Sequence, residues 1–285
     1  MKKSVLVFLL LMAASVVSSA AGRLVADSLQ SRILGATIHC NIYLPDGFNK
    51  SNDPYPVIYL LHGLTDTWEG WQKKGHMKGV ADELMASGES AKAVIIMPNA
   101  GHPKPQEVWN GYFNMPGWNY EDFFFQELIP TLEARYRCGG DKGHRAVMGL
   151  SMGGGGSVVY CQRHPDMFSS CYAMSAWLDN KMTEVGARGK ENKFAILCQS
   201  VSDHSAIDFV EKATPETLDA LRTVKWFIDC GDDDFLLKLS VDLYFQMRTR
   251  GVPAEFRVRN GAHTWEYWHQ ALRLALPFAS RNFDR

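Results

Sequence analysis

The sequence has no long run of like charge, no internal repeat and no low-complexity tract. Each absence narrows the reading. With 30 basic against 31 acidic side chains and a net charge of −1, nothing points to nucleic acid or an anionic membrane surface as a partner. No CxxC pair and no His/Cys spacing of a metal site occurs, so metal ligation is not indicated. Apolar runs also stay short. The most prominent, at 5–17, is well below the ~20 residues a bilayer-spanning helix needs.

That run follows Lys2 and Lys3 and precedes Ser18-Ser19-Ala20-Ala21. A charged start, a short apolar centre and a small-residue exit form the layout of a secretory signal peptide. The expectation is a signal peptide at 1–20, a secreted or periplasmic protein with no membrane span after processing, and a single domain at 21–285. No Cys follows the small residues, so a lipid-modified N-terminus is not suggested. The six cysteines could pair in an exported chain. Cys198 and Cys230, however, sit in apolar runs that read as strands, where Cys is usually a small buried hydrophobe.

Strand-length apolar runs at 56–61, 93–97, 146–149, 170–175, 224–230 and 254–258 alternate with helical stretches at 71–85, 122–136, 154–164, 237–250 and 265–282. The strands look apolar on both faces, as when helices cover both sides of a parallel sheet. The implied fold class is α/β, a mostly parallel doubly wound sheet with helices on both faces. A first strand pair is expected within 24–44, closed by the turn Pro45-Asp46-Gly47. Two segments interrupt the alternation. Residues 100–120 read as a long loop rich in Pro, Gly, Asn and aromatics. Residues 177–222 read as an insertion, a possible lid or pocket wall.

Gly149-Leu150-Ser151-Met152-Gly153 is a G-x-S-x-G between a strand and a helix candidate. Such a turn holds a Ser with its hydroxyl aimed into the site, and small residues two before and two after permit the tight backbone. A Ser hydroxyl needs a base, and imidazole suits the task near neutral pH. His263 follows the last strand candidate, in the chain order Ser, acid, His. His269 falls inside the final helix, while His62, His144 and His164 precede or flank the Ser. The acid should follow the 224–230 strand, where Asp232, Asp233 and Asp234 stand. Asp234 is preferred, Asp233 is its main rival, and Asp232 is close enough to the strand to serve the turn. The amide of Met152 and that of Leu64, after His62-Gly63, are the expected oxyanion donors, each worth ~3 kcal/mol in comparable sites. His62 itself reads as a residue that shapes this loop.

These stretches resemble the esterase family that contains feruloyl esterases, acetylxylan esterases, S-formylglutathione hydrolase and the mycolyl-transferring antigens. The resemblance rests on Tyr59-Leu60-Leu61-His62-Gly63, Met97-Pro98-Asn99, Glu127-Leu128-Ile129-Pro130, Met148 through Gly154, His164-Pro165-Asp166-Met167-Phe168, Cys230 through Asp234 and Gly261-Ala262-His263, in family order. It implies an α/β-hydrolase fold and a triad of Ser151, Asp234 and His263, with Asp234 as the third residue after the Cys-Gly pair. The family often carries a bulkier residue where Gly155 stands, which implies a looser helix start here.

The expected reaction is hydrolysis of carboxylic esters through an acyl-enzyme, with no metal or organic cofactor. Export disfavours the S-formylglutathione reaction and points to acylated plant cell-wall polysaccharide, with feruloyl or acetyl groups. Trp109, Tyr112, Phe113, Trp118 and Tyr120, with Trp265 beside the base, either stack on a sugar or phenolic acid or pack their loop down. Trp109 and Trp265 are the substrate-binding candidates. Two rivals differ in class: an acyltransferase on the same triad, and a non-catalytic carbohydrate-binding protein on this fold.

Overall fold

The alternating runs become the strands of one eight-stranded sheet. The computed structural model describes residues 21–48, 53–102, 111–180 and 192–284. The signal-peptide expectation for 1–20 and the Trp109 candidate lie outside those residues. The ten described strands are β1 Arg23–Gln30, β2 Thr37–Leu44, β3 Val57–Leu61, β4 Val94–Pro98, β5 Asn114–Met115, β6 Trp118–Asn119, β7 Arg145–Leu150, β8 Ser170–Met174, β9 Lys225–Gly231 and β10 Ala254–Arg259. The main sheet runs β1-β2-β4-β3-β7-β8-β9-β10. β1 and β2 form the antiparallel pair expected within 24–44, and β2 meets β4 antiparallel; every other neighbour pair is parallel.

The helices are α1 Gly70–Lys73, α2 Met77–Ser87, α3 Tyr120–Phe123, α4 Ile129–Tyr136, α5 Met152–Arg163, α6 Lys193–Asp203, α7 Ala206–Glu211, α8 Pro215–Arg222, α9 Leu237–Thr249 and α10 Trp265–Arg281. They cover both sheet faces, each with its own apolar core. α2 and α10 close one face, against Ile58, Leu60, Ile95, Met148 and Tyr172. The other face packs Tyr59, Leu61, Ile96 and Val147 against α5, α9 and the segment from Tyr112 to Tyr136. α10 shows how sequence produces this. Trp268, Ala271, Leu272, Ala275, Leu276 and Ala279 recur every three or four residues, and all are buried. Burying each large apolar side chain contributes about 1.5–3 kcal/mol.

Several expectations change on contact with the structure. The 71–85 helix is two helices, because the chain reverses at His76, which adopts φ 50. The 122–136 helix holds a π-helical stretch, Phe124–Leu128, just ahead of Pro130. Pro has no amide hydrogen to give the helix ladder, and a widened turn absorbs that loss. β10 is not apolar on both faces; it is the sheet's last strand, and Glu255 and Arg257 on it lie open to solvent. Cys198 belongs to α6, not to a strand. All six cysteines are buried, and among the described residues no disulfide joins them.

The described part of the 177–222 insertion is helical. α8 starts by the ordinary rules: the Thr214 hydroxyl accepts from the Thr217 amide and Pro215 occupies the first turn. α7 packs on α5 and α9, tied by Gln162 Nε2 donating to the Ala206 carbonyl at 2.8 Å. α6 lies nearer the strand ends: a methyl placed on Gly111 would touch both Leu197 of α6 and the Met152 thioether. Among the described residues, no helix is long and apolar enough to cross a membrane.

Candidate active site

β7 enters α5 through a sharp turn at Ser151, whose φ is 53 and ψ −117. A non-glycine residue with such a φ costs of order 1–3 kcal/mol and persists only when its surroundings fix it. Here they do. The Ser151 amide donates to the Met174 carbonyl at 2.9 Å, and the Ser151 carbonyl accepts from the Gly155 and Trp177 amides at 3.0 and 2.9 Å.

The glycines of the turn are explained by close backbone approach. A Cβ on Gly153 would sit 2.5 Å from the His62 carbonyl oxygen, and one on Gly155 would sit 2.1 Å from the Trp177 carbonyl oxygen. The helix start is therefore not looser at Gly155. The volume that a bulkier side chain would need is filled by the chain that leaves β8.

The other two candidates arrive from the next strands. Asp234 follows β9 and His263 follows β10. His263 Nδ1 lies 2.9 Å from Asp234 Oδ2 and 3.1 Å from Oδ1, while its Nε2 lies 3.0 Å from Ser151 Oγ. The three consecutive aspartates thus separate by role. Asp232 accepts the Gly261 amide at 2.8 Å and serves the turn. Asp233 points to solvent. Asp234 is buried and takes the imidazole together with the Leu236 amide at 2.8 Å. Burial alone would raise the Asp234 carboxyl; hydrogen bonds from His263, the Leu236 amide and the Ser175 hydroxyl outweigh it and hold the group below the usual carboxylate range.

The segments that carry the two expected oxyanion donors both border Ser151. Met152 opens α5, where an amide has no partner inside the helix and the dipole favours negative charge. The loop bearing Leu64 reaches Ser151: a Cβ on Gly63 would lie 3.5 Å from Ser151 Cβ. His62 shapes this loop. Its Nε2 accepts the Ala100 amide at 3.0 Å, so Nδ1 carries the proton and donates to the Gly63 carbonyl at 2.8 Å. Burial pushes the His62 imidazole below its ordinary value, which suits this neutral tautomer.

The aromatic loop packs down. Tyr112, Phe113, Trp118 and Tyr120 are all buried, and the Tyr112 hydroxyl donates to the His62 carbonyl at 2.9 Å. Trp265 stands one ring away from His263, edge-on to Trp71 and Trp268 at 5.3 Å each. The ring that meets His263 at the surface is not among the sequence candidates. Phe235 is 76% exposed, and its ring centre is 4.5 Å from that of His263. An aromatic directly after the candidate acid is a signal that spacing alone could have raised. Behind the base, the Trp268 ring stands edge-on to His263 at 4.8 Å. Among the described residues, no group of three His, Cys, Asp or Glu side chains is placed to hold a metal ion.

Comparison with known proteins agrees with this architecture. The family model described as "Putative esterase" matches residues 31–279. An endo-1,4-beta-xylanase/feruloyl esterase of Xylanibacter ruminicola is 30% identical over 239 residues, covering 81% of this chain and 28% of that protein. The chain spans only 28–30% of the length of the first curated relatives it matches. A solved ferulic acid esterase superposes with a TM-score of 0.86 at 46% identity, covering 92% of this chain and 99% of that one. A fluorophosphonate-binding serine hydrolase of Staphylococcus aureus shares the fold, with a TM-score of 0.75 at 23% identity over 91% of this chain and 99% of that one. The chain belongs to the esterase family, built on the α/β-hydrolase fold.

Proposed function

We propose that this protein is an exported serine esterase that removes feruloyl or acetyl groups from plant cell-wall polysaccharide. One observation carries the reading: a single imidazole bridges a strained, half-buried Ser and a buried carboxylate, 3.0 Å on one side and 2.9 Å on the other. In this reading His263 Nε2 takes the Ser151 proton as Oγ attacks the ester carbonyl. Asp234 fixes the imidazole with its proton on Nδ1 and stabilises the imidazolium that forms. The Met152 and Leu64 amides face the oxyanion. The imidazolium then protonates the leaving alkoxide, and the acyl group stays on Ser151. Water, deprotonated by the same imidazole, attacks the acyl-enzyme and releases the acid.

The names of the two feruloyl-type relatives support the phenolic acyl group, as does the exposed Phe235 ring beside the base. The charged, apolar and small-residue order at 1–20 supports export. Residues 21–285 act as one domain in this proposal, with α6 as the part of the 177–222 insertion that borders the site.

The test is a side-by-side assay of the purified protein on methyl ferulate, acetylated xylan and aryl acetates. Turnover is expected on an aryl acetate and on at least one of the two wall-type substrates, and Ser151→Ala should lower kcat by ~10⁴ or more. Undiminished turnover by Ser151→Ala would sink the serine mechanism. Faster product formation with an added alcohol than with water would favour acyl transfer over hydrolysis.

A further inference from the structure

The segment that leaves β8, Met174-Ser175-Ala176-Trp177, touches both ends of the proposed triad. Its backbone clasps Ser151 from two sides, through the Met174 carbonyl and the Trp177 amide. Between those two contacts stands Ser175, fully buried and held at φ 47. Its amide donates to the Asp229 carbonyl at 2.7 Å, and its side chain turns toward the acid.

The hydrogen-bond inventory of that hydroxyl is short. Trp268 Nε1 donates to Ser175 Oγ at 3.1 Å. A serine hydroxyl has two lone pairs and one proton. With the indole donor seated on the oxygen, the hydroxyl keeps its own proton for the Asp234 carboxylate, which a Ser175 hydrogen bond helps hold below its usual range. The ring of the same Trp268 packs perpendicular to that of His263. A single indole thereby packs the base and orients the hydroxyl behind the acid.

We propose that Ser175 and Trp268 are positioning residues for the triad, extending it into a five-membered chain Trp268–Ser175–Asp234–His263–Ser151. This rests on the triad reading above. The chain fixes the carboxylate rotamer without contributing an atom to the reaction. The other groups around it are accounted for. His263 and the Leu236 amide complete the shell of Asp234. Asp232 is engaged with the Gly261 amide. Asp229, beneath Ser175, is tied by its side chain to Tyr172, Tyr267 and Arg259.

Three variants of the full chain test the proposal, assayed on an aryl acetate across pH. Ser175→Ala should lower kcat roughly ten-fold, the loss typical of a hydrogen bond to a charged group, with KM within about two-fold. It should also move the acid limb of the kcat/KM profile upward: a carboxylate that lacks one donor bears harder on the imidazolium, so His263 loses its proton at higher pH. Ser175→Gly removes the hydroxyl but also relieves the positive φ. It should reproduce the loss and the limb shift even where the protein is more stable than Ser175→Ala. Trp268→Phe keeps a ring against His263 and deletes only the N–H donor; its loss should be smaller, about three-fold, and absent when added to Ser175→Ala.

An unmoved acid limb in both Ser175 variants overturns the proposal. So does recovery of kcat in Ser175→Gly, which would assign the effect to backbone strain. Fluorophosphonate labelling of Ser151 in the parent protein separates the two levels. Labelling with inert Ser175 variants defeats this inference alone, whereas no labelling of a folded sample defeats the triad reading itself.

Discussion

The proposed nucleophile side and the proposed acid–base side of the site are held by different materials. On the nucleophile side, backbone contacts backbone. Ser151 is fixed by three main-chain hydrogen bonds, and glycines let neighbouring carbonyls approach to distances that no side chain would allow. On the acid–base side, side chains contact side chains: an imidazole on a carboxylate, a hydroxyl behind it, and aromatic rings in front and behind. A backbone clasp tolerates no added atom. A side-chain network tolerates shape changes better but fails when one donor or charge is lost, because a buried partner is then left unsatisfied. Substitutions on the two sides should therefore fail in different currencies, stability on one and turnover on the other.

The largest expected effect is on the side-chain half. Asp234→Asn keeps shape and removes the charge. An amide presented to Nδ1 favours the wrong imidazole tautomer, and kcat should fall by about 10³–10⁴, with a parallel fall in the rate at which fluorophosphonate labels Ser151. Unchanged labelling would show that the acid arm does nothing for the nucleophile. The pH dependence sharpens the point. The Asp234 carboxyl is depressed in the folded protein, so its stabilising contribution is present above the ordinary carboxylate value and is lost as pH falls through the depressed one. The difference in Tm between parent and Asp234→Asn should thus shrink on acidification.

The backbone half should show the opposite pattern. In Gly155→Ala the new methyl meets the Trp177 carbonyl at 2.1 Å. Neither partner is a flexible side-chain end, so main chain must shift. The expected loss is about 1–3 kcal/mol of stability, seen as a fall in Tm of roughly 2–10 °C. Turnover should drop less than in Asp234→Asn, since the triad atoms are all retained. A fully stable Gly155→Ala would mean that the segment after β8 is free to move, and the contrast between the halves would lose its basis.

The same contrast explains what the sequence made legible. Backbone constraints write themselves into residue type, so Gly149-Leu150-Ser151-Met152-Gly153 and the order of apolar runs located the turn and the sheet. The order of strands also brought His263 and the aspartate run to one sheet edge. Which aspartate faces the imidazole was settled in the fold by the turn that Asp232 closes and by the burial of Asp234, neither of which periodicity encodes. Ser175 and Trp268 were invisible for a related reason. They meet across 93 residues of chain, and no local pattern marks a hydroxyl that acquires its role from a tryptophan on another helix. The aromatics of the 111–120 loop looked like a binding platform because composition cannot tell a stacked ring from a buried one. Once folded, those rings fill the core under the His62 loop, and the exposed ring beside the base is Phe235.

Phe235 gives the smallest and most selective prediction. Most of its ring faces solvent, so trimming it leaves no cavity, and Phe235→Ala should change Tm little. The ring lies tilted against the imidazole and takes no part in its hydrogen bonds to Asp234 and Ser151, so the proton transfers should survive and kcat should stay within about two-fold. What changes is the apolar surface offered to a bound acyl group. A phenolic ring stacked there would gain about 0.5–1.5 kcal/mol, so KM for methyl ferulate should rise about two- to ten-fold. KM for a small acetate ester, too short to reach across the imidazole, should hardly move. Equal changes for both esters would show that Phe235 shields the base without reading the acyl group. A loss of kcat instead of affinity would make it a second aromatic support for His263, beside Trp268, and the acid–base half would then extend out to the surface.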